Sequence, residues 1–199
     1  MTKEVSFTFD TNVLIKNQDD LATFVKKLEV RKLNYSVSTV TLREIKPGSI
    51  SEQFLSGMIA ISETTIWGET PWGVGRWGGA SKELLVLGES PLGKSRLGSE
   101  KSVDTLEFIL QTISSNSFPS KQNRASLTRG QKNQLRDALI LESHCNDGRE
   151  IFVTGDRKAF IGSDREKRKI LEKTLNIKIL DLKEFEEFLK TTTTQVAGT

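Results

Sequence analysis

Apolar side chains recur along this 199-residue chain with two spacings, one that suits strands and one that suits helices. Residues 5–9, VSFTF, read as a buried first strand with Asp10-Thr11-Asn12 at its carboxyl end. Leu21, Phe24, Val25 and Leu28 then follow the i, i+3, i+4, i+7 spacing of an amphipathic helix. Residues 35–40 read as a second strand, trailed by Thr41-Leu42-Arg43-Glu44-Ile45. After Pro47-Gly48, Ser49 and Glu52 form a candidate capping box for a helix that turns Phe54, Leu55, Met58 and Ile59 inward. Leu106, Ile109, Leu110 and Ile113 mark a further helix over residues 103–115.

The densest pattern is at residues 135–160. Leu135, Ala138, Leu139 and Glu142 keep helical spacing, and Asn146-Asp147-Gly148 stops that helix, since Gly and Asn tolerate its left-handed C-terminal position. Ile151-Phe152-Val153 is a short β-prone run closed by Thr154-Gly155-Asp156. Residues 165–175 then read as a helix, 177–180 as a strand, and 182–189 as a last helix with Phe185 and Phe188 inside. The tail, 191–199, has nothing to bury and is expected to be mobile. Strands alternating with helices predict an α/β fold, a central parallel sheet covered on both faces. The chain thus reads as a single domain over 1–190, interrupted by an insertion at 62–120.

Parallel sheets bind ligands beyond the carboxyl ends of their strands. Asp10 and Asp156 are expected there. Asp137, read in the first turn of its helix, reaches the same side, and Glu44 follows the second strand as the natural fourth. Four carboxylates at close quarters repel, so some stay protonated unless a cation neutralises them. All-oxygen ligands favour Mg²⁺ or Mn²⁺ over Zn²⁺, and no His/Cys cluster competes. A hard cation in such a site can activate water and stabilise charge on a phosphodiester. A single Asp at a strand end more simply caps a helix; the four together point to a metal site.

The segments FTFDTNVL, TLREI, RDALILESHCNDGREIFVTGD and IKILDLKEFEEFL resemble, in this order, the successive motifs of PIN-domain ribonucleases, a family that includes many bacterial toxin nucleases. The resemblance covers residues 5–61 and 130–190 and implies a three-layer α/β/α sandwich. It implies that Asp10, Glu44, Asp137 and Asp156 are catalytic, with Asp10, Asp137 and Asp156 holding Mg²⁺ or Mn²⁺. Thr11, Asn12 and Thr154 would orient them, and Phe160 would pack beneath the fourth acid. The implied activity is metal-dependent endoribonuclease cleavage of RNA, leaving 5′-phosphate and 3′-hydroxyl ends. The implied partners are an RNA substrate and, for a toxin, an antitoxin protein, with a homodimer left open.

The insertion departs from compact members of that family. Residues 67–101 divide into pentads, six of which open with Trp-Gly or Leu-Gly, and Trp67, Trp72 and Trp77 all lie there. Within it, residues 88–95, GESPLGKS, match a phosphate-loop pattern. A true phosphate loop runs directly into a helix, whereas Gly98 interrupts one here, and the pentad repeat already accounts for Gly88 and Gly93. A surface loop, a flap, a partner surface or stacking of RNA on the Trp rings fits better than nucleotide binding.

Charge adds one feature. The formal net charge is +3 with 28% charged residues, which permits an anionic partner without demanding one. Five basic residues and no acid fall between 121 and 136, and Arg124, Arg129, Lys132 and Arg136 are candidate RNA-phosphate contacts, against a plain solvated loop. His144 stands alone and reads as a packing or surface residue, and Cys145 as a small core residue. One cysteine, no signal-like start and no long apolar run predict a cytoplasmic protein with no membrane span. The competing reading is an inactive PIN-like module that binds RNA or protein. A haloacid-dehalogenase phosphatase would need an Asp where Asn12 stands.

Overall fold

The structure, a computed structural model, describes residues 5–16, 34–38, 40–41, 59–61, 64–65, 96–97, 100–120, 123–124 and 126–196. In chain order these form β1 (Ser6–Phe9), α1 (Thr11–Lys16), β2 (Asn34–Ser38), β3 (Ile59–Ile61), β4 (Thr64–Thr65), β5 (Arg96–Leu97), α2 (Glu100–Ile113) and α3 (Arg129–Asn146). β6 (Ile151–Val153), a π-helical turn (Arg157–Ile161), α4 (Glu166–Leu175), β7 (Lys178–Leu180) and α5 (Leu182–Val196) complete them. One sheet of five parallel strands has the order β3-β2-β1-β6-β7. β4 and β5 pair separately, also in parallel.

Strand side chains alternate between faces, and each face buries its own core. Phe7, Phe9, Tyr35, Val37, Ile151, Val153 and Leu180 pack with Val13 and Leu14 of α1 and Phe185 and Leu189 of α5. Phe7 meets Phe185 edge-on at 5.0 Å. Phe152 and Ile179 point the other way, into a core built from α2, α3 and α4. The chain is therefore α/β, with helices over both faces of a parallel sheet.

The second face is not apolar throughout. On β1 and β2 it carries Thr8, Ser36 and Ser38, all fully buried. α3 docks on these hydroxyls: Ser143 Oγ lies 3.0 Å from Ser38 Oγ, and His144 Nδ1 lies 2.8 Å from Thr8 Oγ1. Proton directions are fixed from the far end. Ser36 Oγ donates to the Phe7 carbonyl, so Thr8 donates to Ser36, and His144 must donate to Thr8 through Nδ1–H.

The short link from α3 to β6 sets the direction of the helix. Asn146 is separated from β6 by four residues, and Ile151 pairs with Phe7 near the amino edge of the sheet. α3 thus runs antiparallel to the strands, and its N-terminal half extends towards their carboxyl ends.

Several boundaries differ from the sequence reading. The second strand stops at Ser38 because Ser38 Oγ accepts the Val40 N–H (3.2 Å), and Val40 is helical. Ile59 belongs to strand β3 rather than to a helix, held by pairing with Ser36. α3 begins at Arg129, so Asp137 lies in its third turn, not its first. The cause is a capping box in which Thr128 and Gln131 satisfy each other's backbone N–H groups. α2 buries Leu106, Ile109, Leu110 and Ile113 in the core, so within 62–120 it is part of the domain. The last helix continues to Val196, with Thr191 Oγ1 bonded back to the Glu187 and Phe188 carbonyls, where a mobile tail was expected. The helix expected around Leu21–Leu28, the box at Ser49 and Glu52 with Phe54, Leu55 and Met58, Lys121, the three Trp residues and the GESPLGKS segment lie outside the described residues.

Candidate active site

The sheet order reverses between β1 and β6: the chain moves outward from β1 to β2 and β3, then returns to lay β6 on the other side of β1. Such a switch point opens a crevice at the carboxyl edge, where the first residues beyond the two strands face each other. Here they are Asp10 and Thr154. The Asp10 N–H donates to the Val153 carbonyl (2.9 Å) and the Thr154 N–H to the Leu180 carbonyl (3.0 Å), so the backbone of both is fixed by the sheet.

One hydroxyl then joins two of the acids. Thr154 Oγ1 donates to Asp10 Oδ2 at 2.7 Å and accepts the Asp156 N–H at 3.0 Å. Asp10 is fully buried, a costly place for a carboxylate without polar partners. Gly155, between them, lies against α1: a Cβ there would stand 3.3 Å from Asn12 Cβ. Thr11 Oγ1 donates to Thr41 Oγ1 (3.1 Å), tying the start of α1 to the segment after β2. Of the three residues expected to orient the acids, Thr154 contacts the Asp10 carboxylate, Thr11 bonds to Thr41, and Asn12 lies against Gly155. Asp156 Oδ1 accepts the Ala159 N–H (2.9 Å) and caps the π-helical turn, in which Phe160 is buried edge-on against Phe152 at 5.1 Å.

Asp137 comes from the facing helix. It shares the stripe of His144, seven residues and about 10 Å nearer the N-terminus of α3. Asp10 follows Thr8 on the same sheet face, two residues and about 7 Å further along. Both therefore project past the His144–Thr8 contact towards the carboxyl edge. Glu44 lies outside the described residues. Among the described residues, no three Asp, Glu, His or Cys side chains form a group able to hold a metal ion. The structure thus ties the Asp10 carboxylate to the backbone of Asp156 through Thr154 and places Asp137 on α3, the helix that packs over the same sheet face.

Basic residues fall into two classes. Arg129, Lys132, Asn133 and Arg136 line a cleft of about 440 Å³ along the first two turns of α3. Arg124 is not part of it. It is buried, its guanidinium meets both Glu107 carboxylate oxygens at 2.7 Å, its Nε donates to the Pro119 carbonyl, and it lies over the Phe118 ring. Arg124 is a structural clamp, contrary to the RNA contact read from the sequence, because its donors are already engaged internally.

Three further groups have perturbed ionisation. Burial, aided by the nearby Arg149 charge, lowers the His144 pKa to about 3, so the ring is neutral, and its Nε2 has no hydrogen-bond partner among the described residues. Burial and the Glu142 carboxylate push the Cys145 thiol up to about 12, which makes it unreactive. Lys167 of α4 donates to the Ile113 and Lys158 carbonyls. Burial lowers its pKa, while the neighbouring Asp156 opposes the shift. Spacing within α4 carries no hint of this, because its partners come from two other elements.

No protein-family model, no curated protein and no solved structure matches this chain.

Proposed function

We propose that the protein is a metal-dependent endoribonuclease of the PIN type, acting at the crevice between β1 and β6. The observation that carries the reading is the Asp10–Thr154–Asp156 link at the switch point of a parallel sheet. The motif resemblance assigns the same residues. Asp10, Asp137 and Asp156 would hold Mg²⁺ or Mn²⁺, and Glu44 would complete the site and orient the attacking water. When bound, the cation supplies Lewis-acid stabilisation of charge on the phosphodiester oxygens. Thr154 keeps Asp10 oriented with Oδ2 engaged, and the π-helical turn holds Asp156 by its Oδ1. Burial of Asp10 keeps bulk water from its carboxylate, which would strengthen its interaction with a cation. An antitoxin partner and a homodimer remain part of the toxin version of this proposal. Among the described residues, no helix is long and apolar enough to cross a membrane.

The second reading is a PIN-like module that binds RNA or protein without cutting. It is favoured by one feature: Asp156 already spends an oxygen on capping the π-helical turn. A cleavage assay on mixed RNA with titrated Mn²⁺ separates the two. Asp10→Asn and Asp137→Asn should each abolish cleavage with the circular dichroism spectrum unchanged; cleavage retained in both overturns the nuclease reading.

A further inference from the structure

The N-terminal half of α3 breaks a local rule of helix electrostatics. The positive end of a helix dipole favours acids in the first turn and disfavours cations. α4 and α5 obey, with Glu166 and Glu184 in their first turns. α3 has no acid there and instead carries Arg129 at its first position and Lys132 three residues on. Departures of this kind gather at sites of function.

The misplaced charges are also ordered. Arg129, Lys132, Asn133 and Arg136 stand at i, i+3, i+4 and i+7, one stripe about 10 Å long. Arg136 Nη1 donates to Asn133 Oδ1 (3.0 Å), which sets the plane of the guanidinium. Neither Arg129 nor Lys132 forms an ion pair among the described residues. The stripe ends beside Asp137, on the side of the sheet where the acids lie. Among the described residues its lining is charged and amide, which complements the charge of a phosphate backbone.

We infer that this stripe is a track for the sugar-phosphate backbone of a nucleic acid strand, leading along α3 to Asp137. Its three cations engage successive phosphates and need no metal. That the strand is the RNA to be cut rests on the nuclease reading; the binding of a phosphate backbone does not.

The test is fluorescence anisotropy of a short labelled oligouridylate with the full-length chain in EDTA, over a range of KCl. Three phosphate contacts give a log–log salt slope of about −2, so a fourfold rise in salt weakens binding about 15–20-fold. Arg129→Gln, Lys132→Gln and Arg136→Gln should each reduce the slope by about 0.7. Removing the two cations nearest the helix start, in Arg129→Gln/Lys132→Gln, should also raise the melting temperature by about 1–3 °C. A purely structural stripe would move it downward. An unchanged slope in the triple variant, a lowered melting temperature in the double variant, or equal competition by poly-glutamate of matched charge overturns the track. Cleavage with Mn²⁺ is scored separately. Binding without cleavage leaves the track and sinks the nuclease reading; cleavage indifferent to the triple variant does the reverse.

Discussion

Thr154 Oγ1 and Asp10 Oδ2 lie 2.7 Å apart although 144 residues separate them. The hydroxyl donates to a fully buried carboxylate and, through its lone pair, holds the backbone of Asp156. Two strands that are neighbours only in the sheet are thereby tied beyond their ends, the carboxylate of Asp10 to the backbone of Asp156.

Replacing Thr154 with Val keeps the shape and removes the donor. Asp10 Oδ2 then loses its hydroxyl partner inside the protein, at a cost of about 1–3 kcal/mol in urea unfolding. Thr154→Ser restores the hydroxyl and should recover most of that stability. Equal stability of the Val and Ser variants would show that the bond contributes nothing.

His144 couples stability to pH. Its folded pKa, about 3, lies below the ordinary 6.5, so between these values the unfolded chain binds the extra proton. Its contribution is therefore fully present above pH 6.5 and declines as pH falls, by up to about 1.4 kcal/mol per pH unit down to about pH 3. His144→Gln can still donate to Thr8 and cannot titrate. The urea midpoint of this variant should fall less steeply from pH 6.5 to 4 than that of the wild type.

Arg124 separates structure from binding. Truncation to Ala leaves Glu107 without its guanidinium partner and should destabilise the fold by about 3 kcal/mol, since breaking a largely buried ion pair strands the other charge. The salt slope of oligonucleotide binding should not change. A reduced slope at constant stability would return Arg124 to the RNA surface.

Arg168 joins α4 to the start of α5. It binds both oxygens of Glu184 and one of Glu172, while Glu184 also accepts the Asp181 N–H. Burial alone would raise the Glu184 pKa, but its bonds to Arg168 and Asp181 outweigh that and hold it below the usual range. The stabilisation is present above the ordinary carboxylate pKa and lost as pH falls through the lowered folded value. Glu184→Gln should cost about 1 kcal/mol at pH 7, solvent screening keeping it modest, and nothing once the wild-type carboxyl is protonated.

Local pattern was enough for much of this chain. Alternation in VSFTF and IFV, helical spacing at Leu106–Leu110 and Leu135–Leu139, and the Asn146–Gly148 stop are short-range signals, and each element formed where its apolar side chains could be buried. The acids at Asp10 and Asp156 were legible for the same reason: a strand end can be read from the strand. The start of α3 is equally local, set by the capping box of Thr128 and Gln131. Other features had no sequence signal. Arg124 and Arg136 are the same residue in the same basic run, and only the approach of Glu107 from α2 makes one a clamp while the other lines a cleft. Thr8, Ser36 and Ser38 look like ordinary strand residues until α3 brings His144 and Ser143 to them. Spacing along a chain records what a residue can bury; which long-range partner meets a polar group depends on the order of the strands, and that order is decided only when the sheet assembles.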